Sequence, residues 1–196
     1  MDDMKEALAK CCKKLRLSAS LANRAMTLTG ESNQEFLLNL LTSEIENREA
    51  ARGARNMNMA GFPCRYRAEQ YRTDEIDFPD GVSFESLLAL DFYRSGKNVI
   101  MYGGTGTGKT MLSILIGMAA CKENIPVRFY RVATLVNLLA ESKQDGTLSQ
   151  FKKKRLNPAK ILLLDEFGYV PYDRVGSESS INQAFARTNA RQGVDA

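Results

Sequence analysis

The chain has 196 residues, 44% apolar and 26% charged, with four cysteines, no histidine and a net charge of +4. This is the composition of a packed globular chain rather than a disordered one, and the length suits one domain with at most a small appendage. The mild positive charge permits an acidic partner such as nucleic acid without demanding one.

Cys11, Cys12, Cys64 and Cys121 form no C-x-x-C pair, which argues against a zinc site and for free thiols in a reducing compartment. The N-terminus, MDDMKEALAKCCKKLRL, is charged throughout and has no signal-peptide core. Nowhere do about 18 apolar residues run together, so no membrane span is predicted and a cytoplasmic location is expected.

In chain order, the first 75 residues read as a helical region. Leu8, Leu15, Leu17, Leu21 and Met26 can line one or two short helices. Ser32 to Glu35, SNQE, is a capping-box pattern. It opens a longer helix with Phe36, Leu37, Leu40, Leu41 and Ile45 at helical spacing. Gly53 is expected to weaken this helix, and Gly61 with Pro63 to close it. Between Arg48 and Arg72 six arginines (48, 52, 55, 65, 67 and 72) face only Glu49 and Glu69. Such a stretch is either a phosphate-contacting surface or a solvated helix face.

Asp77 to Gly81, DFPDG, is a turn-rich break and the expected boundary between residues 1–75 and 76–196. Beyond it strands and helices alternate. Strands are predicted at 98–102 (NVIMY), 125–131 (IPVRFYR) and 160–166 (KILLLDE), and helices at 110–123, 133–144 and 178–191. That rhythm predicts an α/β fold with a parallel sheet and helices on both faces. Phe129 and Tyr130 are expected in its core rather than as a base-stacking pair. Lys152, Lys153, Lys154 and Arg155 read either as a DNA-backbone contact or as a solvated helix end.

Gly103-Gly-Thr-Gly-Thr-Gly-Lys-Thr110 fits G-x-x-x-x-G-K-[ST] between a predicted strand and a predicted helix, the context a phosphate-binding loop requires. The bare pattern arises by chance in about one chain of this length in a hundred. Its glycines allow Gly103, Gly104, Thr105, Gly106, Thr107 and Gly108 to turn their amides inward around phosphates, with Lys109, Thr110 and Met111 opening the helix at the same anion. Lys109 is placed on the β- and γ-phosphates and Thr110 on Mg²⁺. Downstream, ILLLDEF carries Asp165 and Glu166 at the end of a buried strand. Asp165 is the candidate Mg²⁺ ligand, and Glu166 the candidate general base for the attacking water. Both motifs end at the carboxyl edge of a parallel sheet, where ligands gather.

The stretches NVIMYGGTGTGKTMLSILIGMAACKENIPVRFYRVATLVNLL and ILLLDEFGYVPYDRVGSES together resemble the IstB-like ATP-binding proteins, which are AAA+ P-loop ATPases and relatives of the DnaC helicase loaders. The resemblance runs through most of the chain, and DEFGYVP is its most specific part. It implies ATP and Mg²⁺ as cofactors, with Gly103 to Thr110 for nucleotide, Asp165 for metal, and Lys109 and Glu166 in the chemistry. It further implies DNA and a transposase as partners, homo-oligomers, and a DNA-contacting N-terminal region. A replicative-helicase loader, or a nucleotide- and DNA-binding module without catalysis, are the alternatives; a small-molecule kinase fits the Asp165–Glu166 pair less well.

In the AAA+ fold the strand order resembles 5-1-4-3-2, and a fourth strand lies between the phosphate-loop strand and the acidic strand. After RTNARQGVDA there is no room for that strand, the fifth, the arginine finger or the C-terminal helices. The expectation is therefore a truncated or frameshifted helper with unpaired backbone beside 98–102 and 160–165 and weakened hydrolysis.

Overall fold

Residues 2–74 and 76–166 are described by a computed structural model. The helix predicted at 178–191 lies outside the described residues. The chain divides into two compact units, one ending at Arg52 and the other starting at Gly53.

The first unit is helical, as its spacing predicts. Helix α1 spans Asp2–Lys14, α2 spans Leu21–Ala25, and α3, Asn33–Met59, begins here. Cys12, Leu21 and Ala22 form a small core, with Leu8, Leu17 and Leu40 packed on it. The α3 start is capped nearly as the sequence suggests. Ser32 Oγ accepts from Glu35 N at 3.2 Å, but the Glu35 carboxylate returns to Glu31 N at 2.8 Å, one residue earlier than in the standard box.

Glu44 is the buried charge of this unit, 3% exposed. Its carboxylate accepts from Ser18 N at 2.8 Å, from Ser18 Oγ, from Arg24 at 3.2 Å and from Arg48 Nε at 2.8 Å. Burial pushes this carboxyl up, but the bonds from Ser18 and Arg48 outweigh that and hold it at about 2. Arg48 is therefore tied down, since it also donates to Arg16 O.

The second unit carries the sheet. Helices α4 (Phe84–Leu88) and α5 (Asp91–Arg94) come first, and α4 is capped reciprocally by Ser83 and Ser86. Helix α6 (Lys109–Lys122), strand β1 (Val127–Arg131), α7 (Val132–Gln144), α8 (Leu148–Phe151) and strand β2 (Ile161–Asp165) follow. The two strands pair in parallel with Val127 opposite Ile161 and Arg131 opposite Asp165. Parallel strands need a crossover, and α7 with α8 supplies it. The result is a mixed α/β fold with a small parallel sheet and helices packed against it.

The core joins Leu112, Ile116, Ala120 and Cys121 of α6 to Val127 and Ile161, with Leu87 of α4 and Leu90, the N-cap of α5. Alpha6 approaches the sheet closely at Gly117, where a Cβ would lie 2.6 Å from Leu163 Cδ1. Gly53 does not weaken α3. It lets the helix pass the end of α6, since a Cβ there would lie 3.1 Å from Cys121 O. The α3 terminus is then fastened to β1: Phe129 N donates to Ala60 O at 2.8 Å, and the buried Arg128 donates to Met59 O. Phe129 is buried and Tyr130 half-buried, as expected for core residues.

One predicted strand is overturned. Residues 98–102 form no strand; Ile100 is 86% and Tyr102 93% exposed, while Val99 and Met101 pack on the core. The alternation of a strand is there, but no described residue hydrogen-bonds its backbone, and β structure exists only as a paired ladder. Lys152–Leu156 continue α8 as one wider helical turn, with Lys153, Lys154 and Arg155 exposed. Among the described residues no helix is long and apolar enough to cross a membrane.

Candidate functional site

The loop before α6 is built by backbone that ordinary residues avoid. Gly103, Gly106 and Gly108 have φ of 143°, 80° and 80°, values that a side chain would penalise. Gly108 is also crowded, since a Cβ there would sit 3.0 Å from Tyr71 Cε2. Tyr71 in turn stacks on Phe84 with ring centroids 5.3 Å apart. The left-handed turn at Gly108 starts α6 without a side-chain cap and without an acid in the first turn. The amides that open α6 thus keep their donor capacity for an outside acceptor, at the positive end of the helix dipole.

Lys109 lies over this loop. Its Nζ donates to Gly103 O at 2.9 Å, to Gly104 O, and to Thr107 Oγ1 at 3.2 Å, while Thr107 Oγ1 donates to Gly104 O at 2.9 Å. These are exposed carbonyl contacts that an anion can take over, because an ammonium bonds more strongly to charged oxygens than to neutral ones.

The acidic strand meets the loop directly. Thr110 Oγ1 lies 3.0 and 2.9 Å from the two carboxylate oxygens of Asp165. The fold thus brings residues 109–110 and 165 together although 55 positions separate Thr110 from Asp165. A hydroxyl and a carboxylate are hard oxygen donors of the kind Mg²⁺ takes in ones and twos, alongside waters and phosphates. Among the described residues no cluster of three acids, cysteines or histidines forms a protein-only metal cage.

Glu166 follows at the same strand end with a left-handed φ of 59°. Its carboxylate lies 3.6 Å from Arg131 Nε, and both side chains are largely exposed. Arg131 ends β1 in register with Asp165, so the two strand ends lie level. Met111 sits one residue further along α6, half-buried. Sequence reasoning missed Tyr71 and Arg131 beside this site. Arg131 was findable as the last residue of a predicted strand, whereas nothing local announces Tyr71.

The basic residues are not equivalent. Arg48 is engaged by Glu44, and Arg65 donates to Asn58 Oδ1 at 2.8 Å. Arg52, Arg55 and Arg72 are exposed and form no ion pair among the described residues.

Comparison with known proteins adds a family. The model of the IstB-like ATP binding protein matches residues 11–190. A protein named for ATP binding in insertion sequence IS5376 of Geobacillus stearothermophilus is 30% identical over 176 residues, covering 87% of this chain and 69% of that one. Its counterpart in IS232 of Bacillus thuringiensis is 29% identical over 142 residues, covering 71% of this chain and 55% of its own length. Another, from IS21 of Pseudomonas aeruginosa, is 31% identical over 144 residues, covering 72% and 53%. The chain therefore spans about half to two thirds of the length of these relatives.

Proposed function

The chain belongs to the IstB-like ATP-binding proteins, and from that premise we propose that it binds Mg·ATP at Gly103 to Thr110 and serves an insertion-sequence transposase as a nucleotide-dependent helper on DNA. In this reading residues 76–196 hold the nucleotide in a P-loop core of the AAA+ type, and residues 1–75 meet DNA or the protein partner. The observation that carries it is the meeting of Thr110 with Asp165. A glycine loop and an acidic strand of unrelated purpose have no reason to converge.

The residues divide the work by chemistry. The amides from Gly104 to Met111 and the Lys109 ammonium receive the triphosphate, with Lys109 exchanging the carbonyls of Gly103 and Gly104 for phosphate oxygens. Thr110 and Asp165 would hold Mg²⁺, which neutralises charge on the β- and γ-phosphates. Glu166 accepts a proton from the attacking water, and to do so it leaves its contact with Arg131. The exposed Arg52, Arg55 and Arg72 supply salt-dependent contact to DNA phosphates. The insertion-sequence origin of the relatives favours a transposase over a replicative helicase as partner.

Calorimetric titration with Mg·ATP tests the reading. Wild type is expected to bind and Lys109→Ala to lose binding; equal affinity in the two would overturn the assignment of the loop.

A further inference from the structure

One aromatic side chain is fixed against the phosphate loop from several directions. The 3-10 turn Ala68–Gln70 sets its backbone, with Tyr71 N donating to Ala68 O at 3.0 Å and Arg67 N to Gln70 Oε1 at 3.1 Å. Phe84, the first residue of the capped α4, stacks on the Tyr71 ring with the planes 10° apart and the centroids at 5.3 Å. Phe84 itself rests on the core. The Cε2 edge of Tyr71 lies 3.0 Å from where a Cβ on Gly108 would sit, and its hydroxyl oxygen 3.5 Å. Among the described residues no second ring meets Tyr71, and its hydroxyl makes no hydrogen bond.

On the reading of Gly103 to Thr110 as the triphosphate site, we propose that Tyr71, backed by Phe84, is the platform on which the nucleotide base stacks. It thereby favours purine over pyrimidine nucleoside triphosphates. A triphosphate drawn in by the amides that open α6 carries its ribose and base on a short tether, and Tyr71 is the ring that the fold sets against Gly108. Parallel, offset stacking is a geometry that aromatic rings favour, and Phe84 with Tyr71 already shows it. The platform needs little ordering on binding, because its turn and its partner ring hold it in place beforehand. A bicyclic purine covers more of the tyrosine than a pyrimidine does, so more apolar surface leaves water. The phosphates alone gain nothing from the ring. A tyrosine that served only as a spacer beside Gly108 would instead affect every ligand of the loop alike.

Calorimetric titration of the full chain with Mg·ATP, Mg·CTP and Mg·tripolyphosphate tests this in wild type, Tyr71→Phe and Tyr71→Ala. Wild type is expected to bind ATP about tenfold tighter than tripolyphosphate, with CTP between them. Tyr71→Ala should lose about tenfold in ATP affinity and less in CTP affinity, so that the purine preference disappears. Its tripolyphosphate affinity should stay within about twofold of wild type, which also reports that the loop still folds. Tyr71→Phe should keep all three affinities. Tripolyphosphate affinity that falls in step with ATP affinity in Tyr71→Ala, or a purine preference that survives there, would overturn the platform and leave the loop assignment standing. So would a Tyr71→Phe protein that behaves like Tyr71→Ala. A wild type that binds neither ATP nor tripolyphosphate would overturn the loop assignment, and the platform with it.

Discussion

The Thr110 hydroxyl touches both carboxylate oxygens of Asp165, at 3.0 and 2.9 Å, and so closes the first turn of α6 on the end of β2. If both oxygens serve a metal, Asp165→Asn should cut the gain in ATP affinity that Mg²⁺ provides by about tenfold or more. Affinity in EDTA should stay the same. Titrations with a fluorescent ATP analogue in Mg²⁺ and in EDTA separate the two quantities. An undiminished Mg²⁺ effect would remove Asp165 from the site.

Two glycines of the loop share a φ of 80° but differ in surroundings. A Cβ at Gly106 meets nothing within 4 Å, whereas one at Gly108 meets Tyr71 at 3.0 Å. Gly106→Ala should cost about 1–2 kcal/mol, the backbone penalty alone. Gly108→Ala should cost more, and adding Tyr71→Ala should recover the excess. Denaturant unfolding of the wild type and these three variants checks this; equal costs at the two glycines would mean that Tyr71 does not crowd the loop.

Glu166 and Arg131 make a long, exposed contact of 3.6 Å. Such pairs contribute little to stability, so Arg131→Ala should change the unfolding free energy by less than about 1 kcal/mol. Its effect should fall on chemistry: releasing Glu166 should raise ATP turnover, while Glu166→Gln should lower it by about a hundredfold with or without Arg131. Phosphate release assays decide. Turnover that survives Glu166→Gln would take the base role from Glu166.

Glu44 links the first unit to pH. Its folded value of about 2 lies below its ordinary 4.5, because the bonds from Ser18 and Arg48 overcome the effect of burial. A depressed acid contributes stability that is complete above pH 4.5 and disappears as pH falls towards 2. The helical signal of residues 1–52 should therefore melt at progressively lower temperature across that window, and Glu44→Gln should flatten the dependence. A profile unaffected by Glu44→Gln would place the acid sensitivity elsewhere.

What could be read before any coordinates was whatever depends on neighbours in sequence. The loop at 103–110 and the run from Ile161 to Glu166 are local patterns, and α6, α7, β1 and β2 appear within a residue or two of their predicted ends. What could not be read depends on partners. The alternation of 98–102 is strand-like, yet strand status belongs to a pair. The α3 spacing gave a helix but not which side is covered, because Leu37 and Leu41 differ from Leu40 only in what lies opposite. Gly53 looked like a breaker because the neighbour it admits, Cys121, is distant in sequence. The short α4 was signalled by Ser83 and Ser86, a weaker cue than the hydrophobic runs around it.

The parallel pairing of β1 with β2 has a consequence for the order of folding. Every ladder contact, from Val127–Ile161 to Arg131–Asp165, closes a loop through residues 132–160, and that entropy is lost before the strands repay it. In the first unit, α1 and α2 meet across a few residues. After dilution from denaturant, helical signal from residues 1–52 should return first, and the nucleotide loop should acquire its shape only in the slower phase, when β2 delivers Asp165 to Thr110.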